Sequence, residues 1–539
     1  MLLSHLCLLL YYNGLTFRSD TTILYNRVGL TILLLSSFSA FNCFYITYLE
    51  KGVSLYGGLF NITSITQSFQ IFILIISTLI LSIVAYYPRK KQVESVSLLN
   101  TLFNKVEQYI SIINKTSEQF TLIEFALIVI FTVSGATLLI SSGDLGSIYL
   151  CIELQSFSLY IISSLHRNSE SATGSALTYF LLGGLSSCFI LLGIGLIYAN
   201  SGLTNLDGIY SIVSHSEKYV YYSSWYNHTY FFYSLLLISV GLLFKIAAAP
   251  FHWWSPDVYD GVPTVVTTFI AILGKIAILI LLLELVHYTS SLFYSSTQLY
   301  SWTTSLSMSC FFSLLIGTIL GLSQARIKRL LAYSTISHIG FILLALIVHT
   351  VDSYQAFLFY IFQYILTNFN VFMLVIAMGF NLYLYYTNTV EYNNLPEKNN
   401  SPIQLINQLK GYFLINPILS LFLVITMFSF IGLPPLVGFF GKLMVLTTAL
   451  DNGKILLVLV AVLTSVIGAV YYLNIIKTIY FESAEYKKSY VYVDISLSNV
   501  FSITLSILNL GIVLFILIPD ELLNLCDLLS LISHSASSI

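Results

Sequence analysis

The sequence predicts an all-α polytopic membrane protein: about fourteen transmembrane helices, two inverted five-helix repeats and two broken helices. Three observations predict it. Of 539 residues, 57% are hydrophobic and only 9% charged, where soluble chains run near about 25% charged. Apolar runs long enough to cross a bilayer, about 20 residues each, recur along the chain. Lysine and arginine fall on alternate loops, the bias that orients membrane helices. A soluble fold needs a polar exterior that this composition does not supply, so the length reads as one membrane domain.

The spans follow from the apolar runs. They cover residues 1–12, 27–48, 68–87, 121–141, 145–165, 174–199, 231–251, 263–287, 297–322, 331–349, 355–383, 414–450, 455–476 and 497–518. The 414–450 run is too long for one straight span, and Gly432-Leu433-Pro434-Pro435 should break it. Pro250 does the same at the end of 231–251. These spans divide the chain into N-terminal helices with a polar loop (1–119), a first repeat (120–288), a second repeat (296–480) and a C-terminal helix and tail (481–539). The runs 121–287 and 297–476 each hold five spans, and an odd number per unit makes the two units inverted. The polar stretch Arg89–Gln119 has no assigned role.

Loop charge checks the count. One set of loops holds Arg18, Arg27, Arg89, Lys90, Lys91, Lys105, Lys115, Arg167, Arg326, Lys328, Arg329, Lys398, Lys410, Lys477, Lys487 and Lys488; the other holds Lys51, Lys218 and Lys454. The basic side is the cytoplasm or mitochondrial matrix, and both termini are expected on the opposite side. The net charge of -2 and the scattered basic residues exclude a nucleic-acid partner. The six cysteines lie mostly in apolar runs with no C-x-x-C pair, which reads as core packing and not a disulfide or metal frame. Residues Met1–Tyr12 lack the basic flank and small-residue site of a cleaved signal, and no transit peptide is expected. Such an apolar chain is hard to import, which suggests synthesis inside the compartment that uses it.

Three lysines remain inside apolar spans: Lys245, Lys275 and Lys442. Glu153 lies mid-span too, ~12 Å along its helix. A charge at that depth is kept where it pairs, lines water or carries a proton. A desolvated lysine can load and release a proton near neutral pH, and a nearby glutamate favours its charged form. Each residue also has a structural alternative. Glu153 and Lys245 could tie two spans as an ion pair; Lys442, just past the Pro434-Pro435 break, could reach a polar cavity or snorkel to the interface. His338, in the polar stretch Ser334-Thr335-Ile336-Ser337-His338, could relay protons or hold the bundle together. Lys275 has no carboxylate at matching depth, so a purely structural role fits it least. Glu284 and His287 are expected at an interface, and Glu124 and Asp144 at helix ends.

The residues around these sites carry a resemblance. Phe244-Lys245, followed by Pro250-Phe251-His252-Trp253-Trp254-Ser255-Pro256-Asp257-Val258-Tyr259-Asp260-Gly261-Val262-Pro263-Thr264, resembles the F-K-x4-P-F-H-x-W-x-P-D-V-Y-E-G-x-P-T signature of the NADH:ubiquinone oxidoreductase chain 2 family. So do Glu153-Leu154-Gln155-Ser156, the run Arg329–Gly340, and Gly432-Leu433-Pro434-Pro435 with Gly438-Phe439 and Lys442. The similarity covers about residues 120–480; Asp260 stands where the family commonly has Glu. It implies fourteen helices in two inverted repeats, and a proton path in the membrane arm of complex I. Glu153 would be the modulating carboxylate, Lys245 its partner, Lys275 the central relay and Lys442 the residue near the outlet.

No dinucleotide fingerprint or iron–sulfur cysteine cluster is present, and His338 and His349 on one helix make a poor haem pair. No cofactor is expected on this chain; NADH, flavin, iron–sulfur clusters and ubiquinone are expected on other subunits. The expected partners are other complex I membrane-arm subunits, sister antiporter-like chains among them, and membrane lipids, in the mitochondrial inner membrane. Two alternatives stand beside this reading: a cation/proton antiporter subunit, and a structural scaffold whose polar residues only lock helices.

Overall fold

The computed structural model describes residues 2–15, 22–44, 52–85, 89–90, 124–166, 169–218, 228–289, 302–382, 385–386, 401, 403–483, 487–488, 495–496, 499–517 and 519–535. Nearly all of the polar stretch 89–119 lies outside them. Helix occupies every segment expected to span. Among the described residues, nine helices are long and apolar enough to cross a bilayer, and four shorter apolar helices accompany them. Among the described residues, strand is limited to three pairs of two or three residues each.

Three helices lead the chain: α1 (Leu2–Leu15), α2 (Thr22–Cys43) and α3 (Ser64–Ala85). The first block follows with α4 (Glu124–Ile140), α5 (Leu145–Ser164), α6 (Glu170–Ser201), the short α7 (Leu206–Lys218), α8 (His228–Ile246), α9 (Trp254–Gly261) and α10 (Thr264–Tyr288). The second holds α11 (Thr303–Leu322), α12 (Ile327–Val348), α13 (Val351–Leu382), α14 (Pro417–Ile431), α15 (Val437–Asp451) and α16 (Ile455–Tyr480). Helices α17 (Asn499–Leu514) and α18 (Pro519–Ser535) close the described chain.

Local chemistry sets the helix ends. Asp144 starts α5, its carboxylate accepting from the Gly146 amide at 2.7 Å and from the Thr204 hydroxyl at 2.8 Å, which satisfies an orphan donor of the first turn. Asn416 caps α14 in the same way, with Pro417 at the first helical position. Gly432 ends α14 at φ +86°, a left-handed conformation that costs glycine nothing. Both expected breaks are present: α8 stops at Ile246 and α9 resumes at Trp254, and α14 stops at Ile431 and α15 resumes at Val437.

Burial divides the helices by role. Every residue of α10 from Thr264 to Leu283 is buried. A helix apolar all round belongs at the centre of a bundle, and α10 touches α4, α5, α8, α12 and α13. Helices α6 and α16 instead expose leucine rows such as Leu177, Leu181, Leu185, Leu456, Leu459 and Leu463. Apolar surface of that extent is what hydrocarbon solvates. Helix α17 is held to α13 by a reciprocal amide pair, Asn370 donating to Asn509 at 2.9 Å and Asn509 donating back at 3.2 Å.

Candidate functional site: a buried line of lysines and hydroxyls

Lys245 lies in the last turn of α8, buried. Its Nζ stands 3.9 Å from Glu153 Oε1 and donates to Tyr160 Oη at 3.3 Å. Glu153 and Tyr160 share α5 seven residues apart, two helical turns, so one face presents both to the lysine. The carboxylate Oε1 has no hydrogen bond, so the pair is an ion contact at its outer limit and not a tight bridge. Gly183 of α6 makes room for the Tyr160 hydroxyl, which occupies the space where a Cβ would stand.

The break after Lys245 leaves carbonyls without intrahelical donors. Trp254, opening α9, supplies one: its indole N–H donates to Phe244 O at 2.9 Å. The tryptophan of the sequence motif therefore closes the end of the half-helix.

Lys275 stands in the middle of α10, 1% exposed. Its Nζ donates to Thr335 Oγ1 at 3.2 Å and lies 5.6 Å from the ring centre of Tyr259 on α9. Two side chains fix its helix by donating to carbonyls beside it: Gln155 to Leu273 O at 2.8 Å and Tyr364 to Ala271 O at 3.3 Å. Gln155 is two residues beyond Glu153, so α5 touches both lysine sites.

Thr335 sits one turn before His338 on α12, and Phe341 one turn after. His338 is buried; Nδ1 shares a hydrogen bond with Tyr360 Oη at 2.8 Å and Nε2 with Tyr472 Oη at 3.5 Å. Lys442, near the start of α15, lies 5.4 Å from the Phe341 ring centre. Its Nζ donates to Phe430 O and Ile431 O at 2.8 and 2.9 Å, the free carbonyls that end α14. Lys442 therefore faces the unwound backbone and does not snorkel. A stripe winding along α12, at i, i+3 and i+6, meets Lys275, His338's tyrosines and Lys442 in turn, over ~9 Å.

A second charged group lies at the basic side. Asp260, at the end of α9, pairs with both Arg326, the residue before α12, and Arg329 of its first turn, and Asp257 pairs with Arg329 at 2.9 Å. These residues line a cavity of about 290 Å³ with Ser175 and Thr178. Lys328 departs from the loop reading. It lies in the first turn of α12, buried, donating to Val262 O at 2.7 Å and to the Ser401 hydroxyl, because the chain around Ser401 and Gln404 folds over that helix start. Glu284, expected at an interface, is partly buried in the last turns of α10.

The charged residues stand out in the sequence, Thr335 and Tyr259 only as members of longer motifs, and Tyr160, Tyr360 and Tyr472 not at all. Helical spacing carried a signal for two of them: Tyr160 is two turns from Glu153, and Thr335 one turn from His338. The others approach from distant helices.

Residues 142–468 match the family described as "NADH:quinone oxidoreductase/Mrp antiporter, TM". NADH-ubiquinone oxidoreductase chain 2 of Rhizopus oryzae is 44% identical over 536 residues, covering 94% of this chain and 95% of that one. NADH-quinone oxidoreductase subunit N of Nitrosomonas europaea is 35% identical, covering 76% and 78%. In fold, a chain of respiratory complex I from Thermus thermophilus superposes with a TM-score of 0.70 at 24% identity, covering 97% and 99%. With a family match across the helices that hold Glu153, Lys245, Lys275, His338 and Lys442, the chain belongs to the antiporter-like membrane subunits of the NADH:quinone oxidoreductase/Mrp family, in the branch of chain 2 and subunit N.

Proposed function

We propose that this chain moves protons across the mitochondrial inner membrane as a membrane-arm subunit of NADH:ubiquinone oxidoreductase. One observation carries the reading: the α12 stripe that meets Lys275 at Thr335, the paired tyrosines at His338 and Lys442 at Phe341. A scaffold needs no such alignment of titratable groups in the bundle centre, where each charge costs free energy.

In this reading Glu153 holds the charge of Lys245. When the pair separates, Lys245 keeps a bare charge in low dielectric and repels a second charge on Lys275. Lys275 then gives up its proton, which passes by Thr335, His338 and water towards Lys442 and the far side. Protons load from the basic side, and both termini face away from it. The two helix blocks act as inverted repeats around this axis. NADH, flavin, iron–sulfur clusters and ubiquinone belong to other subunits of the complex, and the redox reaction there drives the charge movements here. Sister antiporter-like chains flank this one, and lipids cover the leucine rows of α6 and α16.

The test is Lys275→Met in the intact complex. Coupled NADH:ubiquinone turnover per assembled complex should fall by about 10-fold or more, a barrier increase of about 1.4 kcal/mol, or, where turnover persists, fewer protons should be pumped per electron. Unchanged values would end the proposed role. A second reading, a cation/proton antiporter subunit, is favoured by the family description, which includes Mrp antiporters. Sodium-dependent transport without NADH would select it.

A further inference from the structure

Tyr259 is fully buried, and its hydroxyl makes no close hydrogen bond. Its polar neighbours are the hydroxyls of Thr335 and Tyr364. A buried O–H without a partner destabilises a fold, and phenylalanine would fill the same space without that cost. The ring faces Lys275 Nζ. Short helix α9 thus turns Tyr259 towards the lysine while Asp257 and Asp260 of the same helix meet the arginines at the start of α12.

The two hydroxyls near Lys275 differ in what they can offer. Thr335 donates its own proton to Ala332 O at 2.8 Å, so towards the lysine it can only accept. It suits the ammonium, which is a donor only. A neutral amine needs a donor for its lone pair, and the Tyr259 O–H is a donor that neither neighbouring hydroxyl holds at hydrogen-bond distance. The ring's π face, meanwhile, favours the charged form.

We propose that Tyr259 is a positioning residue for Lys275: the charged lysine rests on Thr335, and the neutral amine swings to accept a hydrogen bond from the Tyr259 hydroxyl. The flexible four-carbon stem of lysine permits the swing. Thr335 keeps the ammonium on the His338 side of the relay, and Tyr259 draws the amine away once its proton has left, which disfavours return of that proton. The inference rests on the reading that Lys275 changes protonation during turnover.

Tyr259→Phe in the intact complex separates this role from packing. Loss of an unpartnered O–H should leave the amount of assembled complex, read as the NADH-oxidising band on a native gel, at or above the wild-type level. The rate of NADH-driven proton pumping in that assembled complex should fall about 3- to 10-fold, the worth of one hydrogen bond at the lysine. In the Lys275→Met background the same change should cost nothing further, because its partner is gone. Wild-type pumping by Tyr259→Phe, or an additive loss in the double variant, overturns the proposal. If Lys275→Met is impaired while Tyr259→Phe is normal, only the role of Tyr259 falls. If both are normal, the relay reading falls and this inference with it. Should Tyr259→Phe lower assembly, Thr335→Val against Thr335→Ser tests the other half of the switch. Serine must restore pumping that valine loses; equal loss in both overturns the proposal.

Discussion

The two broken helices solve the same problem with different groups. Each break frees carbonyls at the end of a half-helix and has a lysine beside it. At the first, the Trp254 indole takes the Phe244 carbonyl, which leaves Lys245 free to face Glu153 and Tyr160. At the second, Lys442 itself takes the carbonyls of Phe430 and Ile431. The negative end of a helix dipole favours a cation there, and backbone carbonyls meet Lys442 at that end. Lys245 instead faces a carboxylate carried by another helix. The first break thus leans on a side chain from another helix and the second on its own backbone. Lys275, between them, has a single threonine and an aromatic face. It is the most deeply buried of the three.

Three substitutions test this contrast, from the largest effect to the smallest. Glu153→Gln strands Lys245 without its counter-charge, and breaking a buried pair from one side costs about 3–5 kcal/mol. Thermal stability of the assembled complex and its pumping should both fall. Adding Lys245→Met should recover part of the stability but not the pumping. If Glu153→Gln leaves both readouts intact, the two breaks do not differ as described. Lys442→Met removes two charge-assisted hydrogen bonds from the end of α14, worth about 1.5–3 kcal/mol. Its loss should add to that of Glu153→Gln, since the two sites share no partner; strong coupling would argue for one continuous site. Tyr160→Phe removes the phenol O–H that meets Lys245 at the long distance of 3.3 Å, and a stability change of about 0.5–1 kcal/mol is expected. A loss as large as that of Glu153→Gln would make the phenol, not the carboxylate, the true partner of Lys245.

Much of this arrangement was legible beforehand. The breaks were readable because proline and glycine act on the backbone locally, whatever packs around them. The buried lysines and Glu153 were readable because a charge inside an apolar run needs no tertiary information to stand out. Asp144 at a helix start was readable for the same local reason. Lys328 was misplaced because it follows Arg326 in a basic segment, and nothing nearby in sequence reveals that residues around Ser401 cover it. Tyr160, Tyr360 and Tyr472 are not legible because a tyrosine in an apolar span looks like ordinary core.

The sequence by itself determined the solvent, the helices, the places where two of them break, and which buried positions hold charge. Composition, periodicity and backbone chemistry act over a few residues, and those are written in order along the chain. Only the tertiary structure decided which groups meet. Lys275 and Thr335 are 60 residues apart, Lys245 and Tyr160 are 85, and His338 and Tyr472 are 134. A hydrogen bond between such pairs depends on how whole helices cross and rotate. That is set by the packing of many apolar side chains at once, and no local pattern records it.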